Sequence, residues 1–121
     1  MAGTVVVTEE RDPHSISKIT FDFTTSSSTG AADATTNEAY QGKVVLAEII
    51  PGSTAPSAAW DVAVTDGDSV DVLLGYGTDM SATATTIIKE DYLGACAGDL
   101  LTLAVTNAGN SKTGKVILYI R

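Results

Sequence analysis

Along residues 59–75 the chain twice sets apolar positions against smaller or polar ones. Trp60, Val62 and Val64 are interleaved with Asp61, Ala63 and Thr65, and after a break Val70, Val72 and Leu74 take every second place again. A period of two is that of a strand with one face buried, so two strands are expected. Asp66-Gly67-Asp68 lies between them, with a glycine able to take positive φ and two carboxylates able to bond the turn backbone; the pair reads as a hairpin. The only tryptophan, Trp60, is in phase with the valines, which makes it the expected large anchor of the core.

The same reading extends over the chain. Residues 4–8 are a β-branched run, an edge strand or an arm, closed by Glu9-Glu10-Arg11-Asp12 and Pro13. In 14–24, Ile19, Phe21 and Phe23 share a face while Ile16 is one residue out of phase, and a bulge near Ser17-Lys18 would reconcile them. Residues 25–38 are small, polar and aperiodic, and read as a long surface loop. Residues 42–50 are almost continuously apolar, as in a strand covered on both faces or set against a neighbouring subunit. Residues 82–88 form a further strand, and 92–98 carry no clear signal. Leu101, Leu103 and Val105 alternate, as do Val116, Leu118 and Ile120, with a turn between them, so the chain is expected to close on a terminal hairpin.

Seven to eight strands at short spacing, with no amphipathic helix, predict an all-β chain: one antiparallel β-sandwich domain spanning residues 1–121, with 1–10 as a candidate interaction arm. Two sheets of four strands and jelly-roll winding are favoured over an immunoglobulin-like order, because no cysteines flank the tryptophan.

Composition sharpens this picture. Threonine, valine, alanine and glycine dominate, which suits strands, while fifteen acids against seven bases leave a formal charge of −8. Such a charge repels nucleic acid and anionic membrane, so neither is an expected partner. One cysteine and one histidine can make neither an internal disulfide nor a zinc site, and an intracellular origin and a soluble protein are expected.

Candidate chemistry is sparse. The acids of residues 66–71 could hold calcium, but turn chemistry explains them and a full calcium loop is missing. His14 follows Pro13 and reads as a solvated side chain rather than a general base. Cys96, among glycines and alanines with no neighbouring cation, reads as a small buried thiol. The charged runs at 9–12 and 89–91 read as solvated strand ends, with ion pairs across a subunit interface as the alternative. No nucleophile, base and orienting group can be assembled, so no enzyme, no metal and no cofactor is expected.

TVVVTEE (4–10), KITFDFT (18–24), PGSTAP (51–56), WDVAVTD (60–66), VDVL (70–73), LTLAVTNAGN (101–110) and VILYIR (116–121) together resemble small virion-associated proteins of tailed bacteriophages and prophages, over nearly the whole chain. The resemblance implies a structural protein of the particle. Such proteins include jelly-roll cement or decoration proteins that clamp neighbouring major capsid subunits from outside the shell, often as homotrimers, after synthesis in the host cytoplasm. It carries no catalytic or ligand residue across. Thr4, Val5, Val6, Val7, Val44, Val45 and Ile49, with the loop 25–38, are the expected contact residues. A tail, neck or fibre-associated subunit is the alternative within the particle. A carbohydrate-binding module is the alternative from another class, with Tyr40, Trp60, Tyr76, Tyr92 and Tyr119 as the available aromatics.

Overall fold

In the computed structural model, which describes residues 3–12 and 15–121, nine strands form two antiparallel sheets. They are β1 (Thr4–Glu10), β2 (Ser17–Thr24), β3 (Ala32–Thr35), β4 (Tyr40–Pro51), β5 (Asp61–Thr65), β6 (Thr86–Lys89), β7 (Ala95–Asp99), β8 (Thr102–Thr106) and β9 (Thr113–Ile120). One short 3-10 turn, Glu90–Tyr92, separates β6 from β7. The larger sheet runs β1-β2-β9-β4, and the twelve-residue β4 is long enough to take two partners on its far edge, β7 beside Tyr40–Lys43 and β6 beside Leu46–Ile49. The smaller sheet is β3-β8-β5.

The pairs β2·β9, β3·β8 and β4·β7 are nested one inside the next, as when a long hairpin is rolled up. That is the jelly-roll winding expected from the sequence, although nine strands divide six and three rather than four and four.

Alternation decides which residues meet between the sheets. Ile19, Phe21 and Phe23 of β2, Val116 and Leu118 of β9, and Val44, Ala47 and Ile49 of β4 face Val62, Val64, Leu103 and Val105 of the smaller sheet, all at most 2 % exposed. Trp60 sits just before β5 and is fully buried. Its ring lies 5.5 Å from that of Phe23, tilted by 49°, and its indole N–H donates to the Ser81 carbonyl at 2.9 Å. It is the large anchor that its phase predicted.

Four elements depart from expectation, each for a local reason. Residues 70–74 are not a strand. The Asp66 carboxylate accepts from the Asp68 and Val70 amides, and Asp71 accepts from those of Val64, Leu73 and Gly75, all at 2.9–3.1 Å. Side-chain acceptors thus satisfy the amides that a ladder would have used. The turn exists, but Ser69 rather than Gly67 takes the positive φ, at 63°.

The terminal hairpin is absent as well, since β8 and β9 lie in different sheets. The crossing at 107–112 is held by Thr25, whose hydroxyl donates to the Gly109 carbonyl at 2.6 Å and accepts from the Lys112 amide at 2.8 Å. The segment 25–38 is not one loop: it contains β3, and Thr25, Ser26 and Thr36 within it are buried. Finally, β2 starts at Ser17 and pairs without a bulge; Ile16 simply precedes it and is 42 % exposed.

Candidate functional site

The residues singled out in the sequence scatter. Val44 and Ile49 lie in the core, at 0 % and 1 % exposure, and have no surface to offer a partner. Val45 is half-buried at the irregular register between β4 and β9. Of the first strand, Val5 and Val7 pack against the core, whereas Thr4 and Val6 point outward, Val6 being 67 % exposed. β1 pairs with β2 on one edge, and no strand among the described residues pairs with its other edge.

The chemistry candidates resolve into structural roles. The Asp66 and Asp71 oxygens are turned to turn amides rather than toward a common point. Among the described residues no three histidine, cysteine, aspartate or glutamate side chains are grouped to hold an ion. Cys96 is 6 % exposed, and burial, with the carboxylates of Asp99 and Asp66, pushes its thiol up to about 11. His14 lies outside the described residues.

Glu9 is not simply a solvated strand end. Its carboxylate accepts from the Asn37 and Glu38 amides at 3.0 and 3.1 Å and from the Tyr40 hydroxyl at 2.8 Å, tying β1 to the start of β4. Burial alone would raise its pKa, but these hydrogen bonds outweigh that effect and hold it below the ordinary carboxylate value. The Tyr40 hydroxyl moves the other way, raised by burial and by its bond to Glu9. Arg11 pairs with Glu38 at 3.2 Å and lies 5.7 Å from the centre of the Tyr40 ring.

On the outer face of the larger sheet, register puts Lys18, Tyr119 and Leu46 in one row and Thr20, Ile117 and Glu48 in the next. The Tyr119 hydroxyl donates to Glu48 at 3.1 Å and the Lys18 ammonium lies 5.9 Å from its ring, so this tyrosine is held in place by charged neighbours.

A different surface brings aromatic groups into the open. Tyr76 and Tyr92 come from distant parts of the chain, yet their ring centres are 4.9 Å apart at a tilt of 45°, and the side chains are 51 % and 48 % exposed. Two features bring them together. Asp71 folds residues 70–76 back along the edge of β5, and the Gly94 amide donates to the Val72 carbonyl at 2.8 Å, seating the 90–94 segment beside it. Lys43 fixes the 3-10 turn by donating to the carbonyls of Glu90 and Leu93. Half-exposed Leu74 belongs to the same cluster, because a Cβ on Gly94 would lie 3.6 Å from its Cδ2. Sequence reasoning placed Leu74 in a strand and gave Tyr92 no element. The turn-forming aspartates at 66 and 71 were the signal available for the first.

No family model matches the chain, nor does any curated protein. Among solved structures it is similar to a low-affinity xylan-binding module, CBM86, from the gut symbiont Roseburia intestinalis, with a TM-score of 0.50 and 11 % identity over 99 % of this chain and 87 % of that one. At that identity the likeness is one of fold. The chain is an all-β protein with the two-sheet architecture that this module also has.

Proposed function

We propose that this chain is a structural protein of a tailed-phage particle, a cement protein that sits on the outside of the capsid and joins neighbouring shell subunits without catalysing a reaction. The observation that carries the reading, beside the resemblance of the sequence, is the edge strand β1. It is seven residues long and contains neither proline nor bulge, and Thr4, Val6 and Thr8 point outward. Left uncovered, such an edge templates unwanted pairing. Strand addition against a shell subunit or a second copy would cover it. A homotrimer would multiply weak contacts through high effective concentration. Quantitative mass spectrometry of purified particles tests the reading: a simple ratio to the major capsid protein is expected. A few per cent or less would place the chain in the tail, neck or fibres, and absence from the particle refutes the virion function.

Carbohydrate binding is the second reading. It is supported by the exposed Tyr76–Tyr92 pair and by the fold shared with a xylan-binding module. Tyrosine rings offer apolar faces for the C–H side of a sugar. Retention on insoluble xylan or on a glycan array, lost in Tyr76→Ala and Tyr92→Ala, is the expected behaviour under this reading; no retention refutes it for the glycans presented.

A further inference from the structure

Five of the eight large apolar side chains that the described surface exposes, Val70, Leu74, Tyr76, Tyr92 and Leu100, belong to two segments that lie against each other. Residues 66–76 meet residues 90–100 at three points. A Cβ on Gly67 would stand 2.7 Å from Asp99 Oδ1, the Val72 carbonyl accepts from the Gly94 amide, and the tilted rings of Tyr76 and Tyr92 are in contact. Scattered exposed apolar residues need no explanation, but a grouped set on one seam marks a contact surface.

The charge around the seam is predominantly acidic. Residues 66–80 and 90–100 hold Asp66, Asp68, Asp71, Asp79, Glu90, Asp91 and Asp99, against Lys43, whose ammonium reaches the Glu90 and Leu93 carbonyls, and Lys89, which adjoins Glu90. An acidic rim around an apolar and aromatic strip repels another copy of the same strip, and it complements a surface of opposite sign. It suits a neutral glycan less well, because the aliphatic Val70, Leu74 and Leu100 would find no use against a sugar.

We infer that the seam between residues 66–76 and 90–100 is the docking surface for a partner protein that presents apolar side chains ringed by arginine or lysine. A guanidinium set against Tyr76 or Tyr92 gains a cation–π contact, and the flanking carboxylates steer and orient it. The inference rests on the particle reading, in which that partner is a shell protein, and adds to it where the contact is made and with what chemistry.

The test uses shells of the parent phage stripped of this protein, with rebinding of the full chain measured by co-sedimentation. Wild type is expected to rebind, and more weakly as salt is raised. Leu74→Ser combined with Tyr92→Ser is expected to bind at least about tenfold more weakly, as for residues at the centre of an interface. Glu90→Lys with Asp91→Lys, both exposed, is expected to lose affinity while keeping the wild-type melting curve, so a folding defect in the first variant leaves the inference open to refutation. If wild type rebinds and both variants rebind equally well, the seam is not the docking surface and the particle reading stands. If wild type does not rebind, the particle reading fails and this inference with it. Retention on xylan that is lost in the Leu74/Tyr92 variant, with shell binding unchanged, would assign the seam to a sugar and overturn the inference.

Discussion

Trp60→Ala removes the largest fully buried side chain of the molecule. Truncating a buried tryptophan costs about 3–5 kcal/mol, from lost transfer energy and the cavity left behind. The upper half of that range applies here. The ring sits between the two sheets, where Phe23 and the flanking strands cannot collapse without breaking register, and the tilted contact with Phe23 at 5.5 Å goes with it. The Ser81 carbonyl also loses its donor, although half-buried Ser81 lets water replace the indole N–H. For a domain of this length total stability is on the order of 6–18 kcal/mol. A loss of about 4 kcal/mol lowers the melting temperature by roughly 10–25 °C. Because Trp60 is the only tryptophan, its removal also removes the fluorescence probe, and the measurement is urea unfolding followed by far-UV circular dichroism. Trp60→Phe, which keeps an aromatic ring but loses the indole donor, is expected to cost about 1–2 kcal/mol. A loss below about 1 kcal/mol for the alanine variant would refute the packing argument and show a ring at the surface.

Three further outcomes test the polar framework. Thr25→Val keeps the shape of the side chain but strands the Lys112 amide at the crossing between sheets, and is expected to cost about 1–3 kcal/mol in the same unfolding assay; an unchanged midpoint would mean that the crossing holds without it. Asp71→Ala removes the acceptor of three amides, and hydrogen exchange at Val64, Leu73 and Gly75 is expected to quicken while β9 stays protected; unchanged exchange at those amides would deny the side-chain cap. Glu9 has a folded pKa below its unfolded value, so its contribution is fully present above the unfolded value and is lost as pH falls through the folded one. The Asn37 and Glu38 amide resonances are expected to shift on acidification below the ordinary carboxylate range, and in Glu9→Gln that titration is expected to vanish; its persistence would assign it to another group.

How much of this was legible in the sequence depends on what satisfied each amide. Where the backbone found a ladder, the pattern of two was a reliable guide: Leu101, Leu103 and Val105, Val116, Leu118 and Ile120, and Trp60, Val62 and Val64 are all buried as their phase requires. Where side chains supplied the acceptors, it misled. Val72 and Leu73 are adjacent and both buried, which a strand with one face buried does not give, while Val70 and Leu74 in the expected core phase are about half exposed. β3 was hidden for another reason. Its sequence, Ala-Asp-Ala-Thr, holds no large apolar residue, and only Ala32 is buried. Non-local pairing in the terminal segment was hidden too, because Leu103 and Val116 would alternate identically in a hairpin or in two opposed sheets.

The candidate docking seam arises from the same irregularity that defeated the pattern. A regular strand beside β5 would send every second residue inward and spread its outward apolar groups along the sheet, each flanked by polar neighbours. The aspartate-capped turns instead direct Val72 and Leu73 into the core together and release Leu74 and Tyr76 to the surface within two turns of backbone, with Leu74 and Gly75 at positive φ. That geometry concentrates apolar groups where the 90–94 segment adds Tyr92. Positive φ at a leucine is a strained choice for a β-rich chain. Leu74→Gly would relieve the strain, and the isolated domain is expected to lose little stability because the side chain is half exposed. If the strain serves a contact, the same change costs binding to the shell; if it costs only stability, Leu74 is a packing residue of the loop and the contact lies elsewhere.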